Sequence, residues 1–312
     1  MNSRTRVVVL ATGLLLLAAV PPVAALINQP FYLDLFRRVM IFAIAALSLN
    51  LILGYGGMIS FGHAAYLGVG AYAVGVLAHY GINNGYLQWA LAIGASGLVA
   101  LVIGAVSIRT SGVYFIMITL AFTQMLYYLG ISIEEYGGDD GMRLAVKSQF
   151  PGLVDLNDTN AFYYLVLAIL VLALFLGHRL VNSRFGMVIR AARSNEVRTR
   201  SIGFSPYPYR LAAFVIAGAV CGLAGALLVN HTGYLTPEFM NWTRSGELMF
   251  MVILGGMGSI AGPVLGAFAL LLVEDALSGW TQHWQLILGP LLVLSVLFLR
   301  RGLAGLLFGK NE

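Results

Sequence analysis

The sequence predicts an all-α protein, a polytopic helical integral membrane protein with about 9–10 transmembrane or re-entrant helices. Of its 312 residues, 59% are hydrophobic and only 10% are charged, and the mean hydropathy is +0.86. A soluble domain carries roughly 25% charged residues, so these charges could not cover the surface of a soluble protein of this length. The 37 glycines are typical of closely packed membrane helices. The composition therefore excludes a cytosolic enzyme, a nucleic-acid-binding protein and a disordered chain.

Apolar runs of membrane-spanning length recur along the chain. Each predicts a helix, because open strands cannot cross lipid. The run that follows Arg4 and Arg6 is expected to be a retained helix, with a cleaved signal peptide as the alternative. The run 247–275 is interrupted by Leu254-Gly255-Gly256-Met257-Gly258 and predicts two short passes or a re-entrant pair. The runs lie at about 7–27, 39–53, 61–79, 86–108, 112–133, 160–177, 210–230, 247–275 and 284–299.

Charge placement predicts the topology. The segment 178–210 carries seven arginines and one acid, and the segment 134–158 is mostly acidic. Because Lys and Arg collect on the cytoplasmic side, 178–210 is expected inside and 134–158 outside. The basic residues of the C-terminus are also expected inside, which requires 247–275 to cross twice. Arg37 and Arg38 do not fit this rule, because they lie near the outer end of the second predicted span. We expect them to snorkel and to pair partly with Asp34.

Several motifs that bind nucleotides or metals, or that carry catalytic residues, are missing. The sequence contains no G-x-x-x-x-G-K-[ST], H-E-x-x-H, C-x-x-C or G-x-S-x-G. We therefore expect no enzyme activity, no metal site and no bound cofactor in this chain. The apolar runs also carry almost no ionisable residues, which ion-coupled carriers usually need. An energy source on another chain is the expectation.

The inside segment 178–210 is too long for a turn between two spans. It predicts a helix over about 187–201, closed by Gly203 and the prolines that follow. A helix there could dock a cytoplasmic partner, or the segment could be a basic loop that only sets the topology. Composition leaves both interpretations open.

The motifs 182–186 (Asn-Ser-Arg-Phe-Gly), 190–196 and 201–203 resemble the ATPase-coupling loop of branched-chain amino acid ABC transporter permeases of the LivM/LivH type. The order of the motifs and the extra N-terminal helix are more like LivM. Arg198 and Arg200 depart from the small residues common there, and Met58 stands where Gln is frequent. The resemblance covers roughly 40–305, with further motifs at 47–51, 54–66, 112–115, 118–122, 137–141, 222–226, 254–259 and 262–263.

The resemblance implies a single permease domain over 1–312, with 178–210 as the cytoplasmic ATPase-coupling loop and 134–158 as an external loop. The implied function is that of a permease subunit in a bacterial inner-membrane importer for branched-chain amino acids. Implied partners are a second permease subunit, two cytoplasmic ATPase subunits that hold ATP and Mg, and a periplasmic solute-binding protein. Related permeases carry urea, amides or aromatic acids, which remain alternatives. A channel or an ion-coupled secondary carrier is the alternative from another class.

Three groups of candidate residues follow. Glycines spaced by four are expected on single helix faces, and static packing is the alternative to a sliding contact. For His63, a packing role is the alternative to lining the pathway. For Thr119, the alternative to lining the pathway is a hydrogen bond between helices. The coupling candidates are Arg190, Arg193, Glu196 and Gly203; the pathway candidates are Ser60, His63, Tyr114 and Thr119; the packing candidates are Gly218, Gly222, Gly258, Gly262 and Gly266.

The charge pattern makes a testable prediction about topology. Reporter fusions placed after Arg109, Ser148, Ser194 and Lys310 should read inside, outside, inside and inside. An outside signal at Lys310 would contradict two passes within 247–275, because one pass alone would carry the C-terminus across the membrane.

Overall fold

The computed structural model describes residues 3–152, 154–298 and 302–308. Most of them are helical, which confirms the predicted fold class. The strands β1 (Met142–Arg143) and β2 (Tyr234–Leu235) form one short antiparallel pair. The helices are α1 (Ser3–Ile27), α2 (Pro30–Asn50), α3 (His63–His79), α4 (Gly85–Ser107), α5 (Val113–Ser132), α6 (Thr159–Val181), α7 (Arg184–Ser194), α8 (Glu196–Ser201), α9 (Pro206–Thr232), α10 (Trp242–Gly255), α11 (Gly262–Ser278), α12 (Trp284–Phe298) and α13 (Gly302–Phe308).

Five helical stretches of the described chain are long and apolar enough to cross a membrane. The first joins α2 to a π-helical turn, Leu51–Tyr55, and the others are α4, α5, α6 and α9. The helices α3, α10 and α11 have 17, 14 and 17 residues, short of the ~20 that a full span needs. This is the pattern of a multi-pass membrane protein with several partial passes.

The helix α2 forms the centre of the fold. Its residues from Val39 to Asn50 are all buried, against α6 and α9 and against the pair α10–α11. A helix that is apolar and buried all round belongs to the interior of a bundle. The C-terminal half of α2 therefore contacts several helices at once.

The helices α3, α4 and α9 pack closely through small residues. A side chain at Gly222 of α9 would collide with Ser96 of α4, and one at Gly70 of α3 would collide with the Gly222 backbone. The Ser96 hydroxyl donates to the Tyr66 carbonyl at 3.0 Å, which ties α4 to α3. Gly218 lies on the same face of α9 and opposes Ala100. Backbones approach this closely only where side chains are absent or very small.

The break in the run 247–275 is where the sequence places it. The helix α10 ends at Gly255 and α11 begins at Gly262, so two short helices replace one long span. Gly262 and Gly266 face the end of α10, as their spacing predicts. The expectation for Gly258 is corrected: it precedes α11 and lies in the turn, with a φ of +78°. Its spacing does not put it on the helix face, because the helix starts after it.

The segment 134–158 is fastened to the helix ends. Strand β1 pairs with β2, which follows α9. The buried Ser148 amide donates to Asn230 Oδ1 at 2.8 Å, and its hydroxyl donates to Gln88 Oε1 at 2.5 Å. Asn230 Nδ2 returns a hydrogen bond to the Ser148 hydroxyl at 2.9 Å. Hydrogen bonds thus fix the segment over the N-terminal end of α4 and the C-terminal end of α9.

Arg37, in the N-terminal half of α2, is buried and is paired with Asp34 and His231. Its guanidinium donates to Asp34 at 2.5 Å and to His231 Nδ1 at 2.9 Å, and it lies 4.8 Å from the Phe162 ring centroid. These contacts agree with the expected pairing to Asp34. Arg38 points elsewhere and contacts Glu274 of α11 at 3.4 Å.

Close packing at Gly222 predicts a steep cost for a larger side chain. Gly222→Val should destabilise the protein by about 1–3 kcal/mol, because α4 and α3 would have to move apart. The measurement is the midpoint of thermal unfolding in detergent. The matched control is Gly94→Ala in α4, where an added β-carbon meets nothing within 4 Å. Equal midpoints for Gly222→Val and the unmodified chain would contradict the packing account.

Candidate functional site

Two irregular segments lie near the C-terminal end of α2. One is the stretch 56–62 that follows the π-helical turn, and the other is the turn between α10 and α11. Asn50 joins α2 to the second segment through both atoms of its side-chain amide: Nδ2 donates to the Ser259 carbonyl at 2.8 Å, and Oδ1 accepts from the Gly258 amide at 3.0 Å. A side chain at Gly54 would collide with Asn50 and with the Gly258 backbone. We call this contact, made by Asn50, Gly54, Gly258 and Ser259, the crossing.

Arg193 connects the crossing to α7. Its guanidinium donates to the Gly54 carbonyl, and its aliphatic stem lies against Gly57. The contact spans 139 positions in sequence, between the end of α7 and the end of the π-helical turn. The last carbonyls of a helix have no partner within the helix. Here one of them, that of Gly54, accepts from Arg193 of α7. A coupling candidate of the sequence thus faces this chain's own membrane domain.

Glu196 is also held within the chain. Its carboxylate accepts from Arg200 at 2.5 Å and from Arg210, at the start of α9, at 2.7 Å. Arg210 donates in addition to the Ala192 carbonyl of α7 at 3.2 Å. Burial raises the pKa of the Glu196 carboxyl, but Arg210 and Arg200 outweigh burial and hold that pKa below its ordinary value. Glu196 therefore stays ionised and fastens α8 to α9.

The segment between α6 and α9 contains two helices where the sequence predicts one. Asn195 has extended dihedrals and divides α7 from α8. Its side chain accepts from the Arg198 amide at 2.9 Å and so begins α8 as an N-cap. The single helix over 187–201 is thus wrong, because an asparagine in mid-segment caps a new helix rather than continuing the old one.

The end of α8 agrees with the expected glycine closure. Gly203 has a φ of +91°, a left-handed conformation that glycine adopts without strain. The Gly203 amide donates to the Arg200 carbonyl at 2.9 Å and the Phe204 amide to the Thr199 carbonyl at 3.3 Å. This pair of bonds is a Schellman motif. Arg190, the remaining coupling candidate, donates to the Val181 carbonyl at 3.1 Å and supports the α6–α7 turn.

Three of the four pathway candidates gather around the stretch 56–62. The Ser60 hydroxyl accepts from the Gly62 amide at 3.1 Å, and Thr119 Oγ1 accepts from the Phe61 amide at 3.3 Å. His63 is fully buried, with Nε2 2.7 Å from the Ser48 hydroxyl. These side chains satisfy irregular backbone or pack inside the bundle, and they line a pathway only if the stretch moves.

Tyr114 lies apart from those three residues. It is 77% exposed near the start of α5. A cavity of about 130 Å³ lies between that end of α5 and the irregular stretch, and Arg210 reaches it. Its wall includes Gly56, Met58 and Phe115. The cavity lies at the same end of the bundle as α8, because Arg210 of its wall also pairs with Glu196.

Sequence reasoning did not single out Asn50 or Ser48 as site residues. Both belong to the motif 47–51, yet polar residues in an apolar run are the one signal that marks them. Among the residues that the structure describes, His, Cys, Asp and Glu form no group of three able to hold a metal ion.

Comparison of the sequence with known proteins identifies the family of the chain. The profile of a family described as branched-chain amino acid transport system / permease component matches residues 31–297. The chain belongs to this family. No solved structure gives a significant match to the permease chain.

Individual relatives carry matching names. The chain is 30% identical to the high-affinity branched-chain amino acid transport system permease protein LivM of Salmonella typhimurium LT2, over 86% of this chain and 69% of that protein. It is 31% identical to the LivM protein of Escherichia coli K12, with the same coverage. The LivH permease protein of Escherichia coli K12 is 25% identical, over 85% of this chain and 91% of that protein. The permease family and the greater likeness to LivM were both expected from the sequence.

The crossing predicts that Asn50 is essential to the local fold. Asn50→Leu leaves the buried Ser259 carbonyl and Gly258 amide without partners, at a cost of about 1–3 kcal/mol for each group. Hydrogen–deuterium exchange of a peptide that covers 256–262 should rise, and the unfolding midpoint should fall. The control is Asn182→Leu, an exposed amide that bonds only to His178 in its own turn. Unchanged exchange at 256–262 would show that Asn50 does not hold the crossing.

Proposed function

We propose that this chain is a permease subunit of an ATP-binding-cassette importer that carries branched-chain amino acids across a bacterial inner membrane. ATP and Mg are bound by partner ATPase subunits, and this chain supplies the path. The observation that carries the proposal is the hydrogen bond from Arg193 to the Gly54 carbonyl. It joins the cytoplasmic helices to the two irregular segments at the crossing, so force applied to α7 acts directly on membrane-embedded backbone.

A docking surface for the ATPase is available on the cytoplasmic helices. Apolar side chains are exposed on and beside α7 and α8, and Val197 is 75% exposed. Exposed apolar groups of this kind mark protein contact sites. The surface consists of Met187, Val197, Ile202 and Phe204.

Docking and transmission then belong to different residues. The exposed apolar surface would bind the ATPase groove, while Arg193 and Glu196 face this chain and keep the two helices attached to it. Movement of the helix pair as one body would pull on Gly54 through Arg193 and on α9 through Arg210. Such a push shifts the gate between an inward and an outward state.

The partners follow from the same proposal. Escherichia coli K12 has both a LivM and a LivH protein, each named as a permease protein of one transport system, and both resemble this chain. A second permease subunit beside this chain is therefore proposed. The held external segment 134–158, with exposed acids such as Asp139 and Asp140, is the proposed contact for a periplasmic binding protein.

The substrate class rests on the names of the relatives, which specify branched-chain amino acids. Uptake of labelled leucine in cells that express the complete transporter tests it. Competition by unlabelled urea, amides or aromatic acids in place of leucine would reassign the substrate within the family. Purified alone, the chain should hydrolyse no ATP, because it carries no phosphate-binding loop.

Separate docking and transmission predict two different failures. Val197→Glu places a charge in the docking surface and should remove the ATPase subunits on co-purification, with uptake lost. Arg193→Ala should retain the ATPase subunits, while uptake falls by about tenfold or more, as expected when one charge-assisted hydrogen bond in the coupling is lost. ATP hydrolysis by the complex should continue.

The matched control is Arg198→Ala, an exposed arginine of α8. It should leave uptake and co-purification unchanged, with all variants compared at equal abundance in the membrane. Normal uptake in Arg193→Ala would refute transmission through Arg193. Normal uptake in Val197→Glu would refute docking on the exposed surface.

A further inference from the structure

A cavity of about 470 Å³ lies between α6, the C-terminal end of α2 and the middle of α9. Its wall follows α6 from Ala173 to Val181 and is completed by apolar side chains of α2 and α9. Two of the residues that line it are also exposed on the outside of the protein: Leu176 of α6 at 54% and Ile216 of α9 at 37%. The cavity is therefore open to the surroundings between α6 and α9.

The polar side chains of the wall, apart from Arg179, already have partners within the protein. The hydroxyls of Ser48 and Ser183 each donate to a carbonyl three residues earlier, at 2.7 and 2.6 Å. The Asn50 amide is used at the crossing, and Tyr55 is not without a partner either. Apolar cavities of this kind stay free of water. The ammonium and carboxylate groups of an amino acid would likewise find no uncharged partner here, so the occupant must be largely apolar.

Arg179 is the one charged residue of the wall. It is exposed, and in the described part of the chain no carboxylate pairs with it. The sequence has no Asp or Glu between Asp158 and Glu196, and Glu196 is bound to arginines of α8 and α9. The Arg179 guanidinium lies 6.0 Å from the ring centroid of Phe175, one turn back along α6. A cation at the edge of the cavity thus has no counter-charge in this chain.

The depth of Arg179 in the membrane follows from α6. The stretch 159–177 contains no Asp, Glu, Lys, Arg or His, and as a helix it is about 28 Å long. This matches the hydrocarbon core, which is about 30 Å thick. Arg179 therefore lies just beyond the core, at the level of the lipid headgroups, while Ala173 and Leu176 lie at the level of the acyl chains.

We propose that this cavity binds an anionic phospholipid of the surrounding bilayer, with one acyl chain between α6, α2 and α9 and the phosphate on Arg179. From Ala173 to Val181 the cavity extends about 12 Å along α6, close to the ~15 Å of hydrocarbon in one leaflet. An apolar body with a single unpaired cation at headgroup level complements a lipid that has an apolar chain and a negative headgroup. Basic pockets between membrane helices bind anionic headgroups for this reason.

The bound lipid would act as a packing element of the fold. The acyl chain would contact Leu47 and Leu51, which flank Asn50 on α2 and line the cavity. It would fill space that otherwise leaves these side chains without neighbours, at a loss of dispersion contacts. The inference needs only a membrane location for the chain, and it does not depend on the substrate or on the ATPase.

Photo-labelling by lipid in vesicles tests the proposal. The full chain is reconstituted with phosphatidylglycerol that carries a diazirine in its acyl chain, or with phosphatidylcholine that carries the same acyl chain and no net charge. After illumination, labelled peptides are identified by mass spectrometry. Phosphatidylglycerol should label a peptide that covers 173–181 about fivefold more than phosphatidylcholine does, which is the effect of one basic residue on an anionic lipid.

Two variants separate the headgroup contact from the acyl-chain contact. Arg179→Gln should reduce labelling by phosphatidylglycerol to the level of phosphatidylcholine, and the control Arg198→Gln, in the exposed part of α8, should not. Gly177→Leu should reduce labelling by both lipids, because Gly177 lines the cavity and an added side chain there meets no protein atom within 4 Å. The control Gly94→Leu, equally unobstructed but outside the cavity, should leave labelling of 173–181 unchanged.

Other results would overturn the proposal. Equal labelling of 173–181 by the two lipids would mean that the headgroup is not recognised, and unchanged labelling in Gly177→Leu would mean that the acyl chain lies outside the cavity. Protection of the peptide by leucine would identify the cavity as a substrate site. A photoreactive residue in place of Leu176 that forms an adduct with another protein chain in native membranes, and none with lipid, would show that protein covers the cavity.

Discussion

The side-chain amide of Asn50 is the contact on which the inner half of the bundle depends. Two segments of broken helix meet there, and each has backbone groups that no helix satisfies. In a membrane no water is available to take their place, so each group needs a partner within the protein. One amide group supplies both a donor and an acceptor to the turn between α10 and α11. A hydrophobic side chain of the same size would leave both groups unpaired.

Arg193 extends this network to α7. The guanidinium meets the carbonyl of Gly54, four residues after Asn50 along the chain, on backbone that the crossing already holds. The Glu196–Arg210 pair fixes α8 to the start of α9 in parallel. Both links are charge-assisted, which makes them stronger than neutral hydrogen bonds. The helices α7 and α8 are thereby attached at two points, to the π-helical turn after α2 and to the start of α9.

The sequence predicted those features that depend on neighbouring residues. Long apolar runs specified the helices, the glycines at 254–258 specified the break before α11, and Gly203 specified a left-handed helix end. Local reasoning was wrong at Asn195, where the side chain caps a new helix, and at Gly258, where spacing does not reveal where a helix begins. Contacts such as Asn50–Ser259 join residues 209 positions apart. Such pairings depend on how the helices pack in three dimensions, which no local pattern encodes.

Hydroxyl groups satisfy the last part of the irregular stretch 56–62 and the start of α3. Thr123 Oγ1 donates to the Phe61 carbonyl at 3.2 Å, and Ser245 Oγ accepts at 2.9 Å from the amide of Ala64, in the first turn of α3. A hydroxyl rotates freely and serves as donor or acceptor. Its bonds can therefore exchange partners as helices slide, whereas a regular helix ladder would have to break. The small residues that let α3, α4 and α9 touch leave few side chains to obstruct that sliding. Rotating hydroxyls and bare backbone contacts are what a rearrangement of this part of the bundle within lipid would require.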